Sequence, residues 1–178
     1  WELKSYSNSP IIVEFLIEIA NNGGEYDDAI DLMNELIALT GNTDELKINL
    51  SELLLKAEYF DKVIDILEPI YETSNYTLDI LRMLLISSSM LGLTEKEIKI
   101  SETLINEFPN LSIGYEALSF AYLQSGANEK AVEVLLQALS KFPNSVAFPF
   151  LLATILSSSG DYSKAKNYFH HALLIQPD

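Results

Sequence analysis

A single spacing of 34 residues runs through most of this chain and limits what it can fold into. Pro109, Pro143 and Pro177 stand 34 apart, as do Gly92, Gly126 and Gly160, and Gly24 falls on the same glycine series two periods earlier. A fixed spacing of this size marks a repeat architecture, in which each period is one supersecondary unit that cannot bury its apolar face alone. In this register the 178 residues divide without insertion into 10–43, 44–77, 78–111, 112–145 and 146–178, with residues 1–9 outside as an N-terminal extension.

Within one period the pattern is helical twice over. From Ile113 to Ser125, the residues Ala117, Leu118, Ala121 and Tyr122 recur with helical spacing, and Gly126 stops the run. From Glu129 to Phe142, Ala131, Leu135, Ala138 and Leu139 form one stripe, and Pro143 with Asn144 ends it. A helix of roughly 13 residues is about 20 Å long and marginal by itself. Neighbouring periods must supply the missing stability, so the expected object is an all-α stack of antiparallel helix pairs, about ten helices in one array.

These residues carry a family resemblance. Small residues at repeat positions 8, 20 and 27, an aromatic near position 11 and Pro at position 32 make the chain resemble the tetratricopeptide repeat. The likeness is clearest in the last two units, with Ser119, Ala131, Ala138, Tyr122 and Pro143, then Ala153, Ala165, Ala172, Phe169 and Pro177. The turns from Gly24 to Ala29, Glu58 to Val63 and Gly160 to Ala165 fit the same pattern. The resemblance implies a right-handed superhelical solenoid. Ile17 and Leu85 at position 8 and Glu97 at position 20 depart from the pattern and put close packing there in doubt. Because an unpaired buried carboxylate is costly, a local shift that carries Glu97 to solvent or to Lys96 or Lys99 is expected.

Catalysis finds no support in the sequence. Cysteine is absent, which removes disulfides, thiolate metal sites and cysteine nucleophiles. His170 and His171 are adjacent, point about 100° apart on a helix and cannot share a metal as an i, i+4 pair does. Gly23 and Gly24 end a helix without the Gly-Lys-Ser/Thr of a phosphate loop, and Asp27 with Asp28 sit where a helix dipole favours negative charge. No cofactor or metal is expected, and the chain reads as a non-enzyme. The sequons at Asn49, Asn75 and Asn110 read as chance. Trp1 in place of an initiating Met reads as an excised piece of a longer protein, and the most apolar stretches, 11–20 and 78–91, are too short and too charged to span a bilayer. Without cysteine or a signal peptide, a cytoplasmic setting is expected.

Charge narrows the partners. Eleven basic residues, one of them Arg, stand against 26 acidic ones for a net charge of −15. Nucleic acid is therefore excluded as a general partner, and so is RNA reading by helical repeats, which needs cations along the groove. The excess is graded: the five units carry −7, −5, −2, −1 and 0.

The resemblance implies that repeat positions 2, 5, 9, 12 and 13 line a concave groove. Among these are Glu14 and Glu18 in unit one, Glu45, Ile48 and Glu52 in unit two, and Arg82 and Ile86 in unit three. Ile113, Glu116, Phe120 and Leu123 follow in unit four and Phe150 in unit five. The family's clamp for a C-terminal carboxylate, built from Lys, Asn and Arg, has at its sites Glu14, Glu18, Asn49, Asp79 and Met83, of which only Asn49 matches. Windows begun one or two units later offer Ile48 with Glu52 and Arg82 with Ile86, and fail likewise. An anionic tail would meet like charge. The expected ligand is instead an extended or helical protein segment, with Lys or Arg against Glu14, Glu18, Glu45 and Glu52 and an apolar anchor near Phe120, Leu123 and Phe150. The alternative is a spacer or assembly element in a multi-subunit complex, such as a trafficking or cargo-adaptor assembly, with self-association or continuation through an uncapped C-terminal end.

Overall fold

The computed structural model describes residues 9–73 and 76–177. The expected sequon at Asn75, most of the extension at 1–9 and the terminal Asp178 lie outside the described residues. Ten helices and no strands are found among the described residues. They are α1 (Pro10–Gly23), α2 (Tyr26–Thr40), α3 (Asp44–Lys56), α4 (Phe60–Glu72), α5 (Leu78–Met90), α6 (Thr94–Glu107), α7 (Ile113–Gln124), α8 (Asn128–Lys141), α9 (Ala147–Ser158) and α10 (Tyr162–Ile175).

The second helices of the five pairs begin at residues 26, 60, 94, 128 and 162, a strict 34-residue progression. The cause is one turn used repeatedly. Two residues before each of these starts stands a residue in the left-handed region: Gly24 (φ 76°), Glu58 (φ 61°), Gly92 (φ 68°), Gly126 (φ 77°) and Gly160 (φ 85°). The following residue adopts nearly one conformation, with φ and ψ of −84° and 65° at Glu25, −84° and 61° at Tyr59, −84° and 58° at Ala127, and −83° and 66° at Asp161. Its N–H reaches back to the last turn of the first helix. The N–H groups of Glu25, Tyr59, Ala127 and Asp161 donate to the carbonyls of Ala20, Leu54, Tyr122 and Leu156 at 2.8–2.9 Å, so orphan helix-end carbonyls find donors. At the other end of the pair, α6, α8 and α10 each stop two residues before Pro109, Pro143 or Pro177.

Glu58 is the one non-glycine in the left-handed series. A side chain there is crowded against its own backbone, which glycine is not. The Glu58→Gly variant is expected to be more stable by about 1 kcal/mol in urea denaturation. A loss of stability would show that the Glu58 side chain contributes more than its backbone strain costs.

The helices group into two compact units, one reaching Gly92 and holding α1–α5, the other starting at Leu93 and holding α6–α10. The division falls inside the third period, between its two helices. In the first unit each helix packs on the next in sequence, and α3 also touches α5. The second unit follows the same rule from α6 to α10. Within each unit, short links make consecutive helices antiparallel.

Packing follows the repeat register. Position 20 is buried in every period: Ala29, Val63, Glu97, Ala131 and Ala165 are all at most 3% exposed. The expectation that a local shift carries Glu97 to solvent is thus corrected, because the carboxylate lies inside. The helix period explains why: turning α6 to expose Glu97 would also expose Ile100 and Leu104, on the same face and each 1% exposed, at roughly 1.5–3 kcal/mol apiece. The doubt over Ile17 and Leu85 is resolved in the same direction, since both are buried despite their size. Helices α6 and α7 approach closely at Gly114. A Cβ built on Gly114 would lie 3.0 Å from Ile105 Cγ1, 3.1 Å from the Ile105 backbone nitrogen and 3.1 Å from Leu104 Cβ.

Candidate functional site

The first unit holds a cleft of about 530 Å³ whose wall contains four of the expected groove residues, Glu14 and Glu18 from α1 and Glu45 and Glu52 from α3. All four are exposed. Their spacing explains the convergence. Glu14 and Glu18 are one helical turn apart, Glu45 and Glu52 two turns, and α2 holds α1 and α3 in successive pairs, so two rows of carboxylates line one hollow. The floor is apolar: Ile17 and Leu53 come from the same two helices, and Met33 and Leu36 from α2. Thr40, Thr43 and Asn49 add neutral polar atoms at the rim.

Two hydrogen bonds fix the first pair against the second. Lys56 Nζ donates to Asn21 Oδ1 at 2.8 Å, joining the C-terminal ends of α3 and α1. Tyr59 Oη donates to Asp27 Oδ1 at 2.9 Å, and this bond to the carboxylate raises the pKa of the phenol above its ordinary value. A smaller cleft of about 250 Å³ continues from α3 to α5, where Glu52, Leu55 and Lys56 face Asp79, Arg82, Met83 and Ile86. Arg82 and Ile86 are therefore brought together with Glu52, and the single Arg of the chain sits beside carboxylates. Ile48 is half-buried on α3 and lines neither cleft.

In the second unit, Ile113, Glu116, Phe120 and Leu123 lie on α7 and Phe150 on α9. Phe120 is 47% and Phe150 52% exposed, whereas Leu123 is packed against the core. Phe150 makes an edge contact with Phe169, ring centres 5.8 Å apart, and lines a cleft of about 520 Å³ with Val146 and Ala147 of the α9 end and Phe169, Ala172, Leu173 and Gln176 of the α10 end. Phe120 and Leu123 are not part of it. The residues from α10 escaped the sequence reading, which took groove positions from first helices only. Exposure of Leu173, equivalent by one period to the packed Leu139, is the signal that finds them. Among the described residues no cluster of His, Asp or Glu is placed to hold a metal ion, and no helix is long and apolar enough to cross a membrane. Asn49 and Asn110, the two described sequon positions, are both exposed.

Short antiparallel helix pairs, turned repeatedly by the same left-handed residue and stacked on their sequence neighbours, define a helical-repeat scaffold. Residues 122–178 match the tetratricopeptide repeat family. The sequence likeness to that family covers this stretch, and over the other described helices the likeness is to the fold of solved repeat proteins. The structure of MamA is 17% identical, with 94% of this chain and 92% of that chain covered at a TM-score of 0.81. MamA from Desulfovibrio magneticus RS-1, residue 41 to its end, is 12% identical, with 94% and 95% covered at 0.79. YrrB, described as a tetratricopeptide-repeat protein with an unusual peptide-binding site, is 12% identical, with 99% and 91% covered at 0.75. At these identities the likeness is one of fold. No curated protein sequence matches the chain.

Proposed function

We propose that the chain is a non-catalytic, cytoplasmic interaction scaffold that holds a basic, partly apolar segment of a partner protein in the α1–α3 cleft. The observation that carries this reading is the pairing of four exposed carboxylates with an apolar floor in one hollow. A Lys or Arg side chain suits both features, because its aliphatic stem lies on the floor while its charged head meets the glutamates. Arg82 and Ile86 extend the contact onto α5 through the smaller cleft. In the second unit Phe120 and Phe150 are exposed and offer apolar anchors.

The test is a titration of a labelled twelve-residue peptide of alternating Lys and Leu, at low and high salt, against the wild type and the variant with Glu14, Glu18, Glu45 and Glu52 all changed to Gln. Affinity should fall about tenfold or more in the variant and fall with salt in the wild type, since each exposed charge pair contributes about 0.2–1 kcal/mol. Equal binding by both proteins, insensitive to salt, overturns the proposal. A second reading, an assembly element of a larger complex, is favoured by the exposed apolar side chains Phe15 and Ile19 on α1 and Leu173 and Leu174 on α10.

A further inference from the structure

The two clefts of the first unit differ in charge. The 530 Å³ cleft on α1 and α3 has Glu14, Glu18, Glu45 and Glu52 in its wall and no Lys or Arg among its lining residues. The 250 Å³ cleft on α3 and α5 shares Glu52 and adds Asp79, Lys56 and Arg82, so its lining charges cancel. Lys56 is occupied by its hydrogen bond to Asn21. Arg82 is exposed, and among the described residues it makes no hydrogen bond or ion pair, although Asp79 lies about one turn before it on α5. The repeat register shows the change of sign: Glu14 and Arg82 both hold position 5 of their periods, two periods apart.

We infer that Arg82 is a specificity-determining residue for the partner segment: it favours an Asp or Glu beyond the segment's Lys or Arg residues and disfavours a further cation there. The inference rests on the reading of the carboxylate cleft as the docking surface. The two clefts share Glu52 and lie one helix-to-helix step apart, about 8–10 Å. An extended chain covers that step in about three residues. A segment that fills the first cleft with cations therefore carries its next residues to Arg82. A cation arriving there meets like charge, whereas a carboxylate meets a planar fork of N–H donors able to hold both its oxygens. Leu55, Met83 and Ile86 form the apolar side of the second cleft, with Ile86 45% exposed, and seat an apolar residue between the two charges. Repulsion of the wrong segment and attraction of the right one thus come from one side chain.

A cycle of protein and peptide changes tests it. The peptides are twelve residues long, alternate with Leu and are capped at both ends, so no terminal carboxylate is offered. One carries Lys throughout, one Lys then Gln, and one Lys then Glu, the last two made in both orders. Arg82→Gln should weaken binding of the Lys/Glu peptide about two- to fivefold in one of its orders, leave the Lys/Gln peptide unchanged and strengthen the all-Lys peptide. Lys62→Gln, on α4 and outside both clefts, makes the same change in net charge and should alter none of these affinities by as much. Both positions are exposed, so helix content by circular dichroism should be retained. Equal effects of Arg82→Gln on the Lys/Glu and Lys/Gln peptides in both orders, or equal effects of Arg82→Gln and Lys62→Gln, overturn the inference and leave the docking reading standing. Peptide binding that is indifferent to changing Glu14, Glu18, Glu45 and Glu52 to Gln overturns the docking reading, and the inference with it.

Discussion

Phe148→Ala should destabilise the α6–α10 unit by about 3–5 kcal/mol, the largest effect expected of any single truncation in the chain. Phe148 is fully buried. Its ring centre stands 6.0 Å from that of Phe142, which in turn makes an edge contact with Tyr115 at 5.8 Å. The three rings tie α7 and α9 to the end of α8, so truncation removes apolar burial and an aromatic contact together and leaves a cavity its neighbours cannot fill by rotating. Phe150, two residues on along the same helix and 52% exposed, is the internal control. Phe150→Ala should cost only about 1 kcal/mol, most of it from the edge contact with Phe169. Urea denaturation of the two variants measures the contrast, and similar losses would show that the register of α9 is wrongly placed.

Gly114→Val should cost about 2–3 kcal/mol, and Gly114→Ala about 1 kcal/mol. A helix interior ordinarily gains when glycine is replaced, and here close packing reverses the sign. The atoms in the way include the backbone nitrogen of Ile105, which cannot swing aside, so α7 must move off α6. Gly23→Ala at the end of α1 serves as the comparison. A Cβ there meets only the Glu25 side chain at 3.9 Å, and a change between zero and a gain of about 1 kcal/mol is expected. Thermal unfolding followed by circular dichroism separates the two sites. Equal behaviour at both would mean that α6 and α7 are not as close as described.

The parts of the fold that depend on local backbone geometry were legible in the sequence. Glycines at 24, 92, 126 and 160 and prolines at 109, 143 and 177 each enforce a backbone event within two residues of themselves, so the helix ends could be placed from them. Glu58 shows the limit of reading by residue type, since the turn is the same there without the glycine. Glu97 shows another limit. Its own burial cost argued for exposure, but orientation on α6 is decided by the sum over Ile100, Leu104 and their neighbours, which no single residue reveals.

The candidate site was legible to the same degree. Glu14, Glu18, Glu45 and Glu52 do share one cleft, because they lie on first helices of adjacent pairs at positions fixed by the period. The apolar anchor was not resolved. Phe120, Leu123 and Phe150 hold repeat positions 9, 12 and 5, and Leu123 packs against the core while Phe150 joins α10 residues. The division into two units inside the third period, between α5 and α6, leaves no mark in the spacing of prolines and glycines.

The central claim is that the carboxylate cleft on α1 and α3 is the surface that recognises a partner segment. Amide hydrogen exchange of the whole chain, with and without the Lys/Leu peptide, tests it most directly. The predicted result is slowed exchange over residues 10–23 and 44–56, abolished when Glu14, Glu18, Glu45 and Glu52 are changed to Gln. Unchanged exchange in both helices at saturating peptide, or protection confined to α6–α10, would contradict it.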